Sequence, residues 1–508
     1  MCSAVIDNRP FFRFVLTLAI VLPATLSAQT DDDYSSFMDD VMGEFEVFTE
    51  HVSATYDDFR QKANAEYAEF MRRKWREYGI EPPVEVPDVK PVPIPVRDDD
   101  APAPEPIEIE YDEIDILPEP QPQPQPLSPI PEVVDRPVTD LDITFYGTGC
   151  RVRVPDSEPL LMTVNEEAIA DLWVTYCSDD YNNLLIDCLA LRDRLKLSDW
   201  GYFKMLGELS RAWLGCSNEA IVLWAFLFNQ SGYTVRMGYS SRNLYLLVAL
   251  DGQVFSRYPY YWVDGQRFFA VSAAPGDIPE RMHIMAYRFE GEKEMDMNIY
   301  AGQLFTWSPS APREMQSALD SDVKVTVEVN ENLIDFYNDY PRTYSMPDPD
   351  GTSCWKFYAN APLNDEVKSE LYPVLRRAIA GKGEIAAANV LIHFLQTTLT
   401  YRLDDEVWGG DRPFFAEETL FYPYSDCEDR AVLFSRLVRD LLGLDVVLLY
   451  LPGHLATAVA FNETLDAPYY LIDGRRYYYC EPTVSPYADV GWMPDSYKDV
   501  KADIIKLR

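Results

Sequence analysis

A thiol and an imidazole 27 residues apart are the side chains best placed for chemistry in this sequence. In YSDCEDRAVLFSRLVRDLLGL, Cys427 falls in the first turn of an apolar-periodic segment, with Asp426 in the position of an N-cap. A thiol there meets the positive end of the helix dipole, which favours thiolate. Backbone N–H groups at the same helix end form a natural oxyanion site. Glu428 and Asp429 oppose the thiolate, so a base is needed. The chain has four histidines: His51, His283, His393 and His454. His51 falls in an amino-terminal helical stretch, His283 in a central region, and His393 within the helical run ANVLIHFLQTTL. His454 follows Pro452-Gly453 at the start of an expected strand, which makes it the candidate base.

The elements that must position this pair read as helix followed by sheet. VVLLYLPG and LATAVAF are expected strands joined at a turn, and YYLIDGRRYYY a hairpin turning at Asp473-Gly474. Trp408 and Tyr424 lie in the long segment before Cys427, where they either line a cleft or pack as ordinary aromatics. Similar blocks occur earlier in the chain. GCSNEAIVLWAFLFNQSGY (215–233) parallels DCEDRAVLFSRLVRDLLGL (426–444), PYYWVDGQRFF (259–269) parallels PYYLIDGRRYY (468–478), and ITFYGTGC (143–150) parallels WKFYANAP (355–362). Three blocks in one order at one spacing of about 210 residues indicate two copies of a single α+β unit.

From about residue 386 onward the chain resembles the transglutaminase-like superfamily. The resemblance is carried by ANVLIHFLQTTLTYRLDD, TLFYPYSDCEDRAVLFSRLVRDLLG, PGHLATAV and GRRYYYCEPT. It implies a papain-like fold and acyl transfer through a thioester, with Cys427 as nucleophile and His454 as base. Peptide hydrolysis, deamidation and amide cross-linking share that first step. The family's third residue, an aspartate before Pro-Thr, is Glu481 here. Glu481 keeps the charge that orients the imidazole but adds a methylene. Asp473 is the rival orienter; its simpler role is the hairpin turn, since the first copy also has Asp264-Gly265. Cys480 adjoins Glu481 and should face the other way on a strand, packed or disulfide-bonded. In the first copy Cys216 matches Cys427, but Asn243 stands at the histidine position and Ser272 near the glutamate position. Asn cannot accept a thiol proton near neutral pH, so this copy is expected to be inert.

The rest of the chain sets the context. Arg9 and Arg13 precede an apolar run, Phe14 to Ala24, with small residues at Ser27 and Ala28, the order of a secretory signal peptide over 1–28. An exported, periplasmic or cell-envelope location in a bacterium is expected, with no membrane span in the mature chain. Seven of the eight cysteines would remain, an odd number that permits an unpaired thiol. Residues 31–80 read as a long amphipathic helix suited to docking or self-association. Residues 81–138, rich in proline and acid, read as an extended linker. The remaining divisions are a degenerate module at 139–275, a β-rich connecting region at 276–352 and a catalytic module at 353–508. A formal charge of −39 excludes nucleic acid and anionic lipid as partners. The expected substrate is a protein or peptide, with no metal or organic cofactor. Two functions follow: a cysteine peptidase, amidase or acyltransferase, or a weakly active or inactive binding and assembly protein of the envelope.

Overall fold

The expected strands assemble into two six-stranded sheets with one and the same strand order. The computed structural model describes residues 60–82, 92–98, 104–115, 122–126, 130–156, 160–250, 253–254, 259–271, 278–286, 292–344 and 354–508. The signal segment at 1–28, His51 and most of the amphipathic stretch lie outside the described residues. The chain divides into two compact units, Met1–Lys62 and Ala63–Arg508. The second carries every feature that follows.

In chain order its strands are β1 (Arg76–Gly79), β2 (Tyr111–Asp115), β3 (Val138–Phe145), β4 (Thr148–Pro155), β5 (Val235–Ser240), β6 (Asn243–Val248), β7 (Gln253–Val254), β8 (Tyr260–Val263), β9 (Gln266–Val271) and β10 (Arg281–Ile284). Then come β11 (Arg313–Gln316), β12 (Lys324–Val327), β13 (Thr343–Tyr344), β14 (Thr400–Tyr401), β15 (Tyr424–Ser425), β16 (Val446–Leu451), β17 (His454–Val459), β18 (Tyr469–Ile472), β19 (Arg475–Cys480) and β20 (Ala502–Lys506). Helices Glu166–Tyr176, Asn182–Arg194, Asp199–Leu214 and Asn218–Gln230 precede β5. Helices Cys354–Asn360, Asp365–Ile379, Glu384–Thr398 and Cys427–Leu442 precede β16. The class is mixed α+β with mostly antiparallel sheets.

The first sheet runs β1-β10-β5-β6-β9-β8, and the second, read from its far edge, β2-β20-β16-β17-β19-β18. Registers agree as well: Ser240 faces Asn243 across the first turn, and Leu451 faces His454 across its counterpart. Asp264 (φ 49°) with Gly265 and Asp473 (φ 50°) with Gly474 make the two hairpin turns, a left-handed pair that Asp-Gly supplies at little cost. Two of the three similar blocks are thus structurally equivalent. The third is not: 143–150 spans the β3–β4 hairpin, whereas 355–362 begins in the Cys354–Asn360 helix. Phe145 and Phe357 are both buried, and apolar content shared by a strand and a helix produced the similarity.

Two expectations for the amino-terminal segments change. Helix persists only to residue 71 within the expected 31–80 span, and Arg76–Gly79 is a strand. Tyr67, Met71 and Trp75 are buried in the main core, with Tyr67 against Trp173 at 4.7 Å, so this end of the segment docks. Beyond it, pairing of β1 with β10 outweighs helical periodicity. The 81–138 segment is also more than a spacer, because β2 within it pairs in parallel with β20.

Both amino-terminal segments do the same thing. After β1, the Glu81 N–H donates to Tyr260 C=O at 2.8 Å, so one segment bonds both β10 and β8, the two edges of the first sheet. Before β2, Ile109 N–H donates to Tyr469 C=O at 2.8 Å, joining β18 to β20 across the second. Each sheet is thereby bridged edge to edge, which removes open strand edges. Ile109, Leu449, Tyr470, Tyr479 and Ile504 fill one interior, and Tyr245, Leu247, Tyr261 and Met282 the other. No helix among the described residues is long and apolar enough to cross a membrane.

Candidate active site

The Cys427 helix begins where the sequence places it. Asp426 is extended (φ −112°), its N–H donates to Asp429 Oδ2 at 3.1 Å, and Cys427 is the first helical residue. Gly443 ends the helix in the left-handed conformation (φ 67°). Ala431, Val432, Phe434, Leu437 and Val438 bury its inner face and fix the tip against the sheet. At about 1.5–3 kcal/mol for each fully buried Val, Leu or Phe, that face anchors Cys427 firmly.

His454 is the first residue of β17, and its Nε2 lies 2.9 Å from Glu481 Oε2. Glu481 directly follows β19 and is held on every side. Tyr479 O–H donates to Oε2 at 2.6 Å, Thr483 N–H to Oε1 at 3.0 Å, and Gln396 Nε2 to its backbone carbonyl at 2.8 Å. The longer side chain therefore still meets the imidazole. Tyr497 stacks on the His454 ring at 5.3 Å, nearly parallel. Nδ1 of His454 makes no hydrogen bond among the described residues and is the nitrogen left for a proton.

The sulfur lies beside the start of β17, where the Leu455 N–H points at it. It does not hydrogen-bond the imidazole. Its partner is Glu428, with the S–H donating to Oε2 at 3.0 Å. Burial, then the charges of Glu428 and Asp426, hold the thiol well above its usual range, so it rests protonated. The opposition expected from Glu428 is thus a direct bond.

Glu428 belongs to a buried acidic group. Burial and Glu428 push Asp404 up to about 8. Burial raises Glu417 and Glu418 to about 7, and Asp429 well above the carboxylate range. Asp426 Oδ1 and Asp429 Oδ1 are buried without a hydrogen-bond partner among the described residues. One ligand atom each from Asp404, Asp426 and Asp429 lies within 4.8 Å of the others, as does a set from Asp404, Asp411 and Glu428. These oxygens are the group able to hold a hard cation. The neighbouring Arg430 is buried and turns away from them, donating to Leu399 C=O at 2.9 Å and Ser425 Oγ at 3.2 Å.

The remaining candidates are placed elsewhere. Asp473 sits in its turn, paired with Lys506 at 2.7 Å. Cys480 is buried, and none of the described cysteines is bridged; Cys177 is half-buried and Cys216 exposed. His393 pairs with Asp489, and His283 stacks on Tyr239. Trp408 packs with Tyr422 and beneath Arg412, and Tyr424 beneath Arg402, the aromatic-packing reading of both. Sequence reasoning missed Tyr479, Tyr497, Gln396 and Tyr401. Tyr479, two residues before Glu481, carried a signal in strand alternation; Tyr497 carried none.

In the first copy the same joint is built without the chemistry. The helix starts two residues later, at Asn218 behind the N-cap Ser217, which leaves Cys216 outside it and exposed. The Leu244 N–H, counterpart of the Leu455 N–H, donates to Asn218 Oδ1 at 2.8 Å. Asn218 thus takes the place of the Cys427 sulfur, while Asn243 is exposed. Compared with known proteins, the chain matches no family, no curated protein and no solved structure.

Proposed function

We propose that this chain is an exported cysteine acyl-transfer enzyme of the transglutaminase-like, papain-like type, acting on a protein or peptide in the periplasm or cell envelope. The observation that carries this reading is the buried His454–Glu481 pair at 2.9 Å, set in the strand whose second residue aims its N–H at the Cys427 sulfur. In the reaction, His454 Nδ1 takes the thiol proton as the sulfur attacks the carbonyl carbon. The C–N bond breaks, the imidazolium returns that proton to the departing amine, and a thioester remains. Water or a second amine then releases the acyl group. Glu481 holds Nε2–H and stabilises the imidazolium. The resting Cys427–Glu428 bond must break first, so substrate binding is needed to hand the thiol to His454.

Iodoacetamide labelling tests this reading. Cys427 should react with a pH dependence that His454→Ala abolishes, and Cys427→Ser should remove labelling by an acyl-transfer probe. A pH profile unchanged by His454→Ala would sink it. A second reading, a binding and assembly protein, is favoured by the protonated, Glu428-bound thiol and by a first copy lacking base and carboxylate. That reading predicts no labelling of the reduced protein by such a probe.

A further inference from the structure

We infer that residues 92–97 occupy the groove that receives the substrate, and that the substrate is therefore a stretch of polypeptide in extended form. This rests on the cysteine acyl-transfer reading and names the substrate class of that site. The segment, Val92-Pro93-Ile94-Pro95-Val96-Arg97, makes backbone bonds to both loops that carry the catalytic pair. Val92 N–H donates to Gly453 C=O at 3.0 Å, and Gly453 immediately precedes His454. Farther along, Ser485 N–H donates to Pro95 C=O and Arg97 N–H to Ser485 C=O, both at 2.9 Å. Ser485 lies four residues beyond Glu481, on the loop whose Thr483 N–H holds that carboxylate. A third contact comes from the nucleophile's side: Tyr401 O–H donates to Val92 C=O at 3.3 Å, and Tyr401 pairs with Ser425, two residues before Cys427.

With this segment in place, Cys427 is 3% and His454 2% exposed, too little for a thiol to meet a carbonyl on another chain. The segment is the element easiest to displace. Val96 is 72% exposed, Pro93 is exposed, and none of its residues is buried, unlike Ile109 farther along the same linker. The groove grips main chain, through bonds that any peptide can make, as in strand addition. Pro93 and Pro95 leave the resident segment without two of its six backbone donors. A competing chain with those N–H groups offers donors that the resident segment lacks. The linker is thus a weak occupant supplied in cis, and an extended peptide is the occupant the groove fits.

Val92→Pro and Arg97→Pro, separately and together in the full chain, each delete one of the donors. Iodoacetamide labelling resolved cysteine by cysteine reads the result. The double variant should raise the Cys427 rate tenfold or more, with exposed Cys216 unchanged and buried Cys188 and Cys480 protected. A synthetic peptide of residues 90–98, added in trans, should restore protection of Cys427. An unchanged Cys427 rate overturns the inference. So does a peptide without effect, and so does labelling of Cys188 and Cys480 in step with Cys427, which makes the segment part of the fold. The reaction itself is judged separately, by the effect of His454→Ala on the wild-type pH profile.

Discussion

The two sheets share strand order, turn chemistry and a bridging segment apiece, yet among the described residues only one presents a thiol, an imidazole and a carboxylate together. Their difference concentrates at a single joint, where a helix tip meets the start of a strand. In the first copy the joint is closed by an amide: Asn218 accepts from Leu244 and donates to Arg242 C=O at 3.0 Å. In the second the same strand N–H meets sulfur. In both copies this strand N–H finds an acceptor, an amide oxygen in one and a sulfur in the other. On the proposed acyl-transfer reading, reactivity is an addition to a contact that both copies make.

The largest expected effect comes from removing the sulfur. Cys427→Ser should cut turnover by about a thousandfold or more, while Cys216→Ser leaves it unchanged. His454→Ala follows, with a loss on the order of 10²–10⁴ in kcat/KM and disappearance of the alkaline-going limb of the rate profile. Glu481→Gln should lower kcat by about tenfold or more, and Glu481→Ala should also destabilise the fold by about 1–3 kcal/mol in urea unfolding, because the buried Tyr479 hydroxyl and Thr483 N–H lose their acceptor. The comparison is sharpened by Asn243→His, which should confer no acyl transfer on the first copy: Cys216 lies outside its helix. Rapid, pH-dependent alkylation of Cys216 in that variant would show the joint to be more plastic than described.

The smallest effect concerns pH. Asp404, Glu417 and Glu418 have folded-state pKa values of about 8, 7 and 7, above their unfolded values. The folded chain therefore holds more protons than the unfolded one between about pH 4 and pH 8, and stability falls as pH rises through that window. Tm should decline from pH 5 to pH 9, and Asp404→Asn should flatten the decline. A Tm that rises over that range would contradict the net upward shift that burial gives these carboxylates.

Much of the second copy could be read from residues. The Asp-Gly turn, the helix starting at Cys427 and the histidine opening a strand each have a local physical signature, and each lies where the sequence put it. What escaped notice depends on long-range pairing. YDEID (111–115) is charged and short, with nothing to mark it as a strand except the edge of β20, nearly 400 residues away in the chain. Tyr497 reaches His454 through tertiary packing alone. The mismatch of 143–150 with 355–362 has the opposite cause, since aromatic pairs suit a buried strand and a buried helix equally well. The sequence shows Glu428 as a charge near the thiol; that it is the thiol's own partner depends on a side-chain rotamer no sequence pattern encodes.

The bridging of each sheet by chain from far upstream has a consequence for dissection. A fragment cut at residue 353 would carry the three reactive side chains but expose β18 and β20 along their unpaired edges, and so tend to associate edge to edge. Closing the second sheet takes a piece discontinuous in sequence, 104–115 with 354–508, and during synthesis that sheet can close only after its last strand has emerged.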